Sequence, residues 1–67
     1  MNNIAVPNLY LSTSDGKWRV IYQGMPLCAD TTEGQSLIVY ERTLQQLRQP
    51  IPKFPPVWDG DTGNFRA

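Results

Sequence analysis

Two glycine turns constrain this chain more than any other feature of its sequence. The first, Asp15-Gly16, separates two segments, NLYLST and WRVIYQ, in which apolar and polar residues alternate. A two-residue hairpin loop takes a type I′ turn, whose central residues both need positive φ, and Asp-Gly meets that need. Centring the turn on this pair sets Ser14 opposite Lys17, Thr13 opposite Trp18, Leu11 opposite Val20 and Leu9 opposite Tyr22. Leu9, Leu11, Trp18, Val20 and Tyr22 then share one face, and Tyr10, Ser12, Lys17, Arg19 and Ile21 share the other. A slip of one residue would mix the two sets, so the pattern itself argues for this register. Gln23-Gly24 offers a second loop of the same kind. It sets Met25 opposite Tyr22 and Leu27 opposite Val20, adding both to the apolar face, and Cys28 opposite Arg19 on the other. Pro26 has no N–H to give to a ladder, so the third strand belongs at a sheet edge.

Beyond Ala29 the period changes. Asp30-Thr31-Thr32-Glu33 is rich in residues that begin helices, and Thr32 with Gln35 fits a capping box. Leu37, Tyr40, Leu44 and Leu47 recur at helical spacing, and Pro50 ends the run, which predicts a helix over 33–48. Leu37-Ile38-Val39-Tyr40 has the propensity of a strand, and a fourth strand at 36–42 is the alternative. The continuation of the stripe through ERTLQQLRQ favours the helix. The expected fold is therefore α+β: a three-stranded antiparallel β-meander packed against one C-terminal α-helix (βββα), filling residues 1–49. Residues 50–67 hold four of the chain's six prolines and form a Pro-rich tail. Phe54, Val57, Trp58 and Phe65 are expected to fold that tail back over Ile38 and Val39.

Composition narrows the functions open to such a fold. At 67 residues the chain makes one small domain with a thin core. It has no His, which removes Ser-His-Asp and Cys-His catalysis, and a single Cys, which removes an internal disulfide and a thiolate zinc cage. Six basic residues balance six acidic ones, unlike the basic excess of an electrostatic nucleic-acid binder. No apolar run approaches a membrane span and no signal peptide is visible, so a cytoplasmic protein without membrane contact is expected.

The residues that carry chemistry point away from an enzyme. Asp59-Gly60-Asp61-Thr62-Gly63-Asn64 alternates oxygens like a calcium loop, but Gly63 and Asn64 stand in interchanged order relative to an EF-hand, and a polar turn is the expected reading. Pro52-Lys53-Phe54-Pro55 has P-x-x-P spacing, yet the basic residue is misplaced for a polyproline ligand. Cys28 has no base to activate it. No spacing brings two of the carboxylates Asp15, Asp30, Glu33, Glu41, Asp59 and Asp61 together for acid–base work. No cofactor and no metal are expected. The open sheet face, with Tyr10, Ser12, Lys17, Arg19 and Ile21, is the candidate binding surface, because Tyr and Arg are favoured at interface centres. Phe54 and Trp58 in the tail are secondary candidates.

Pro7-Asn8-Leu9-Tyr10-Leu11, followed by a hairpin, a short third strand and a helix, resembles the N-terminal arm-binding domain of phage lambda-type tyrosine recombinases. The resemblance covers residues 7–48 and implies a phage or mobile-element origin. In that family the sheet enters the DNA major groove with the helix behind it, which would make the Tyr10, Ser12, Lys17, Arg19 and Ile21 face the reading face. The family's basic leading segment is replaced here by MNNIAV, and residues 1–49 carry four basic and four acidic side chains. The expected function is accordingly that of a small non-enzymatic protein that acts by protein–protein contact, as an inhibitor or adaptor. Sequence-specific DNA binding through the open face is the alternative, and a homodimer would cover the same face.

Overall fold

The computed structural model describes residues 8–66; Pro7 of the PNLYL motif lies outside them. Three strands come first: β1 (Leu9–Ser14), β2 (Lys17–Tyr22) and β3 (Met25–Thr31). The helix α1 (Glu33–Gln46) comes next, and then two short strands, β4 (Val57–Asp59) and β5 (Asn64–Phe65). Both glycine turns form with all four central residues at positive φ: 55° and 74° at Asp15 and Gly16, 54° and 79° at Gln23 and Gly24. The β1–β2 register is the one set by the Asp15-Gly16 turn, from Ser14 opposite Lys17 to Leu9 opposite Tyr22.

The strands beyond the helix correct the expected βββα meander and its Pro-rich tail. The sheet has five strands in the order β3-β2-β1-β4-β5. β4 runs parallel to β1, with Leu11 opposite Val57, Ser12 opposite Trp58 and Thr13 opposite Asp59, so the sheet is mixed and β1 is its central strand. β5 turns back antiparallel on β4, pairing Trp58 with Phe65. The tail therefore does not fold over Ile38 and Val39; Ile38 remains exposed, and Val39 packs on the core without it. The physical reason is the row of free backbone groups along β1. Leu11 donates its N–H to the carbonyl of Pro56 at 3.0 Å, and Gly60 donates to that of Thr13 at 2.7 Å. An edge of unpaired peptide groups is a stronger attractor for an extended segment than a small apolar patch on a helix.

A second correction concerns β3. Met25 lies opposite Tyr22 as expected, but Cys28, not Leu27, lies opposite Val20. Leu27 is the extra residue of one bulge, and Ala29 and Asp30 together oppose Arg19 in another, where Asp30 takes φ 57°. A bulge reverses the facing of every residue after it. Cys28 thus packs against the core and Leu27 is 46% exposed; Met25, which precedes the bulge, is 68% exposed at the sheet edge. Thr31 stabilises the irregular stretch by donating its hydroxyl to the Trp18 carbonyl at 2.9 Å. Pro26 does sit on an edge strand.

The helix begins with the expected capping box. Thr32 Oγ1 accepts from the N–H of Gln35, and Gln35 Oε1 accepts from that of Thr32, both at 3.2 Å. It ends in a Schellman motif: Gln49 donates to the Leu44 carbonyl and Arg48 to that of Gln45. Arg48 occupies the left-handed position of that motif, φ 57°, which glycine usually fills. Residues 36–42 are helical, so the alternative fourth strand there does not form. The helix lies across β1, β2 and β3. Tyr40 and Leu44 join Leu9, Leu11 and Val20 in the buried core, ringed by Trp18, Tyr22, Cys28, Leu37, Val39 and Val57. Ser36 is fully buried on the same side, its hydroxyl returned to the Glu33 carbonyl at 2.9 Å. No helix among the described residues is long and apolar enough to cross a membrane.

Candidate binding surface

Because the only helix among the described residues covers one side of the sheet, the other side carries a surface with no element packed on it. Alternation from the buried Leu9, Leu11 and Val20 places Tyr10, Ser12, Lys17, Arg19 and Ile21 on this open face. Register across β1 and β4 adds Trp58 beside Ser12, and register across β4 and β5 adds Phe65 beside Trp58. The rings meet edge to face: Trp58 and Phe65 have centroids 5.0 Å apart at 74°, and Tyr10 and Phe65 5.7 Å apart at 77°. These are the favoured geometries for aromatic pairs. Three aromatic side chains from three neighbouring strands thus form one cluster at one end of the face.

Ser12 lies between Arg19 on one side and Trp58 on the other, and this covering leaves it only 7% exposed although it points away from the core. Arg19 is partly exposed, but its Nε is buried with no hydrogen-bond partner among the described residues. Lys17, next along β2 on the same face, pairs with Asp30 at 3.4 Å, both side chains well exposed. Of the secondary candidates, Trp58 belongs to this surface. Phe54 is 82% exposed in the segment before β4, with the Lys53 ammonium 5.7 Å from its ring centre.

Phe65 joins the site without being among the residues the sequence nominates for it. Its only sequence signal is the run Val57-Trp58 before a Gly-containing turn and a second aromatic, which reads as a short hairpin once the Pro-rich character of the segment is set aside. The turn itself is built from its own polar groups. Asp59 Oδ1 accepts from the N–H of Asp61 at 2.9 Å, an Asx turn, and Gly63 donates to the Asp59 carbonyl at 2.8 Å. The other carboxylate oxygen of Asp59 faces Arg66 Nε at 3.7 Å. Among the described residues no three His, Cys, Asp or Glu side chains cluster as metal ligands would.

Arg66 serves the opposite face. Its guanidinium carbon lies 5.6 Å from the Trp18 ring centre and its Nη2 reaches Thr13 Oγ1 at 3.4 Å, closing the core where the helix does not extend over β4. Cys28 packs toward the core with Thr31 Oγ1 3.8 Å from its sulfur, a contact too weak to activate a thiol. No family model matches the chain, and no curated protein or solved structure matches it.

Proposed function

We propose that this chain is a small non-enzymatic binding protein that acts by protein–protein contact, as an inhibitor or adaptor, through the open face of its sheet. The observation that carries the reading is the Tyr10–Phe65–Trp58 cluster beside Arg19 on a face with no packed element. Tyr, Trp and Arg are the side chains that dominate interface hot spots, because each offers a large rigid area with a polar end. Ser12, Lys17 and Ile21 complete the patch.

The test compares the parent chain with a Tyr10→Ala/Arg19→Ala variant as baits in bacterial lysate, with and without nuclease treatment. Both should fold, since neither residue is in the core. A partner captured by the parent should bind the variant more weakly by about 2 kcal/mol or more, as loss of central anchors does. A partner held equally by both would overturn the assignment. DNA recognition by the same face is the second reading, drawn from the resemblance to integrase arm-binding domains. It would appear as nuclease-sensitive capture and affinity that falls steeply with salt.

A further inference from the structure

The charges around the aromatic cluster allow the partner's chemistry to be named. At the strand positions of the open face there are two cations, Lys17 and Arg19. Lys17 already has Asp30 at 3.4 Å. The remaining four basic residues lie elsewhere: Arg42 on the helix, Arg48 at its end, Lys53 before β4, and Arg66 against Trp18 and Asp59 on the opposite side. Among the described residues Arg19 is therefore the one uncompensated charge at these strand positions, set beside aromatic and apolar surface, with Nε buried and unpaired. A polyanion such as nucleic acid is held by a row of cations that neutralise successive phosphates. A lone guanidinium instead matches one carboxylate, which it grips through two parallel hydrogen bonds.

We infer that the partner is a protein segment that presents an Asp or Glu carboxylate to Arg19 beside an apolar side chain seated on Tyr10, Trp58 and Phe65. This rests on the open-face reading above. The arriving carboxylate gives the guanidinium fork the partner it lacks among the described residues and draws Nε out of an unpaired position. The apolar neighbour covers the exposed Phe65 ring and excludes water from the ion pair, which strengthens it. Asp30, in the bulge opposite Arg19, pairs with Lys17, and among the described residues no ion pair joins it to Arg19.

The experiment is selection of a displayed random-peptide library on the full chain, with a parallel selection on a Tyr10→Ala/Phe65→Ala variant as the subtraction. Recovered peptides should place an Asp or Glu near an aromatic or large aliphatic residue. A synthetic copy, read by fluorescence anisotropy, should lose about tenfold or more in affinity when its acidic residue is changed to Gln or Asn. The two forms should bind alike to an Arg19→Gln variant. The substitution on the peptide reads the same pairing should Arg19→Gln fail to fold. Peptides that need Tyr10 and Phe65 but ignore their own carboxylate would overturn the inference and leave the open-face reading standing. Failure to recover any peptide that the subtraction removes would overturn both. Tighter binding of a dT20 oligonucleotide than of any recovered peptide would also overturn it, in favour of nucleic acid.

Discussion

Tyr40 offers a sharp test of the packing. Its side chain is fully buried in the centre of the core, and its Oη is buried with no hydrogen-bond partner among the described residues. A hydroxyl left unpaired in an apolar interior costs about 1–3 kcal/mol by the evidence of mutant proteins. Tyr40→Phe removes that cost and leaves a gap smaller than a methyl group's worth of contacts, a loss of about 1 kcal/mol or less. The variant should therefore be more stable than the parent by about 1 kcal/mol at pH 7. In a domain of this size that raises the melting temperature by about 4–8 °C. Burial also pushes the phenol up from 10.0 to about 12. The folded value lies above the unfolded one, so the neutral phenol's contribution is fully present below pH 10 and is lost as pH rises toward 12. At pH 11 the parent should have lost on the order of 1 kcal/mol through this group alone, and the phenylalanine variant none of it. Urea titrations followed by tryptophan fluorescence at pH 7 and pH 11 measure both differences. A variant less stable than the parent at pH 7 would show that the hydroxyl is hydrogen-bonded in solution, and the account of the core would fail.

Other substitutions test single features. Arg48→Gly should raise stability by about 0.5–1 kcal/mol in a thermal melt, because glycine occupies the left-handed position of the helix cap without steric strain. Gly60→Ala should lower it by about 1–3 kcal/mol, since a Cβ there would stand 3.1 Å from the Thr13 carbonyl oxygen and 3.2 Å from Ser14 Cβ. Val20→Asp should abolish the cooperative transition, as it places an unpaired charge in the centre of the core. Deleting residues 57–67 should do the same, or leave an aggregating chain, because it strips the pairing from one whole side of β1.

What could be read from the sequence was what local chemistry determines. Asp15-Gly16 and Gln23-Gly24 demand positive φ, and that demand carries the β1–β2 register with it. Thr32 and Gln35 mark the helix start because a capping box is closed by groups three residues apart. The two bulges in β3 are not legible because nothing in Pro26-Leu27-Cys28-Ala29-Asp30 distinguishes a straight edge strand from one that skips a residue. Leu27, apolar enough for the core, ends exposed while the smaller Cys28 packs inward. The pairing of β4 with β1 is hidden for a different reason. A parallel partner is joined by a crossover, so no turn residue announces it, and three residues are too few for a visible period. The open-face group Tyr10, Ser12, Lys17, Arg19 and Ile21 is legible because the first turn determines it. That Trp58 and Phe65 stand beside it is legible only from the sheet order.

The parallel β1–β4 pairing also sets the order in which the molecule becomes complete. β1 is made first, yet its second neighbour lies more than forty residues further along the chain, beyond the helix. A chain emerging during synthesis can close the β1–β2–β3 meander and dock α1 while β1 still presents a bare edge. Long-range closure of that kind is slow relative to hairpin and helix formation, so the half-finished sheet is the stage most open to wrong pairing with another copy. The same delay falls on the aromatic cluster of the open face. Tyr10 is in place early, but its aromatic companions arrive only with residues 58 and 65. A chain stopped before β4 would lack both of the rings that complete the cluster around Tyr10.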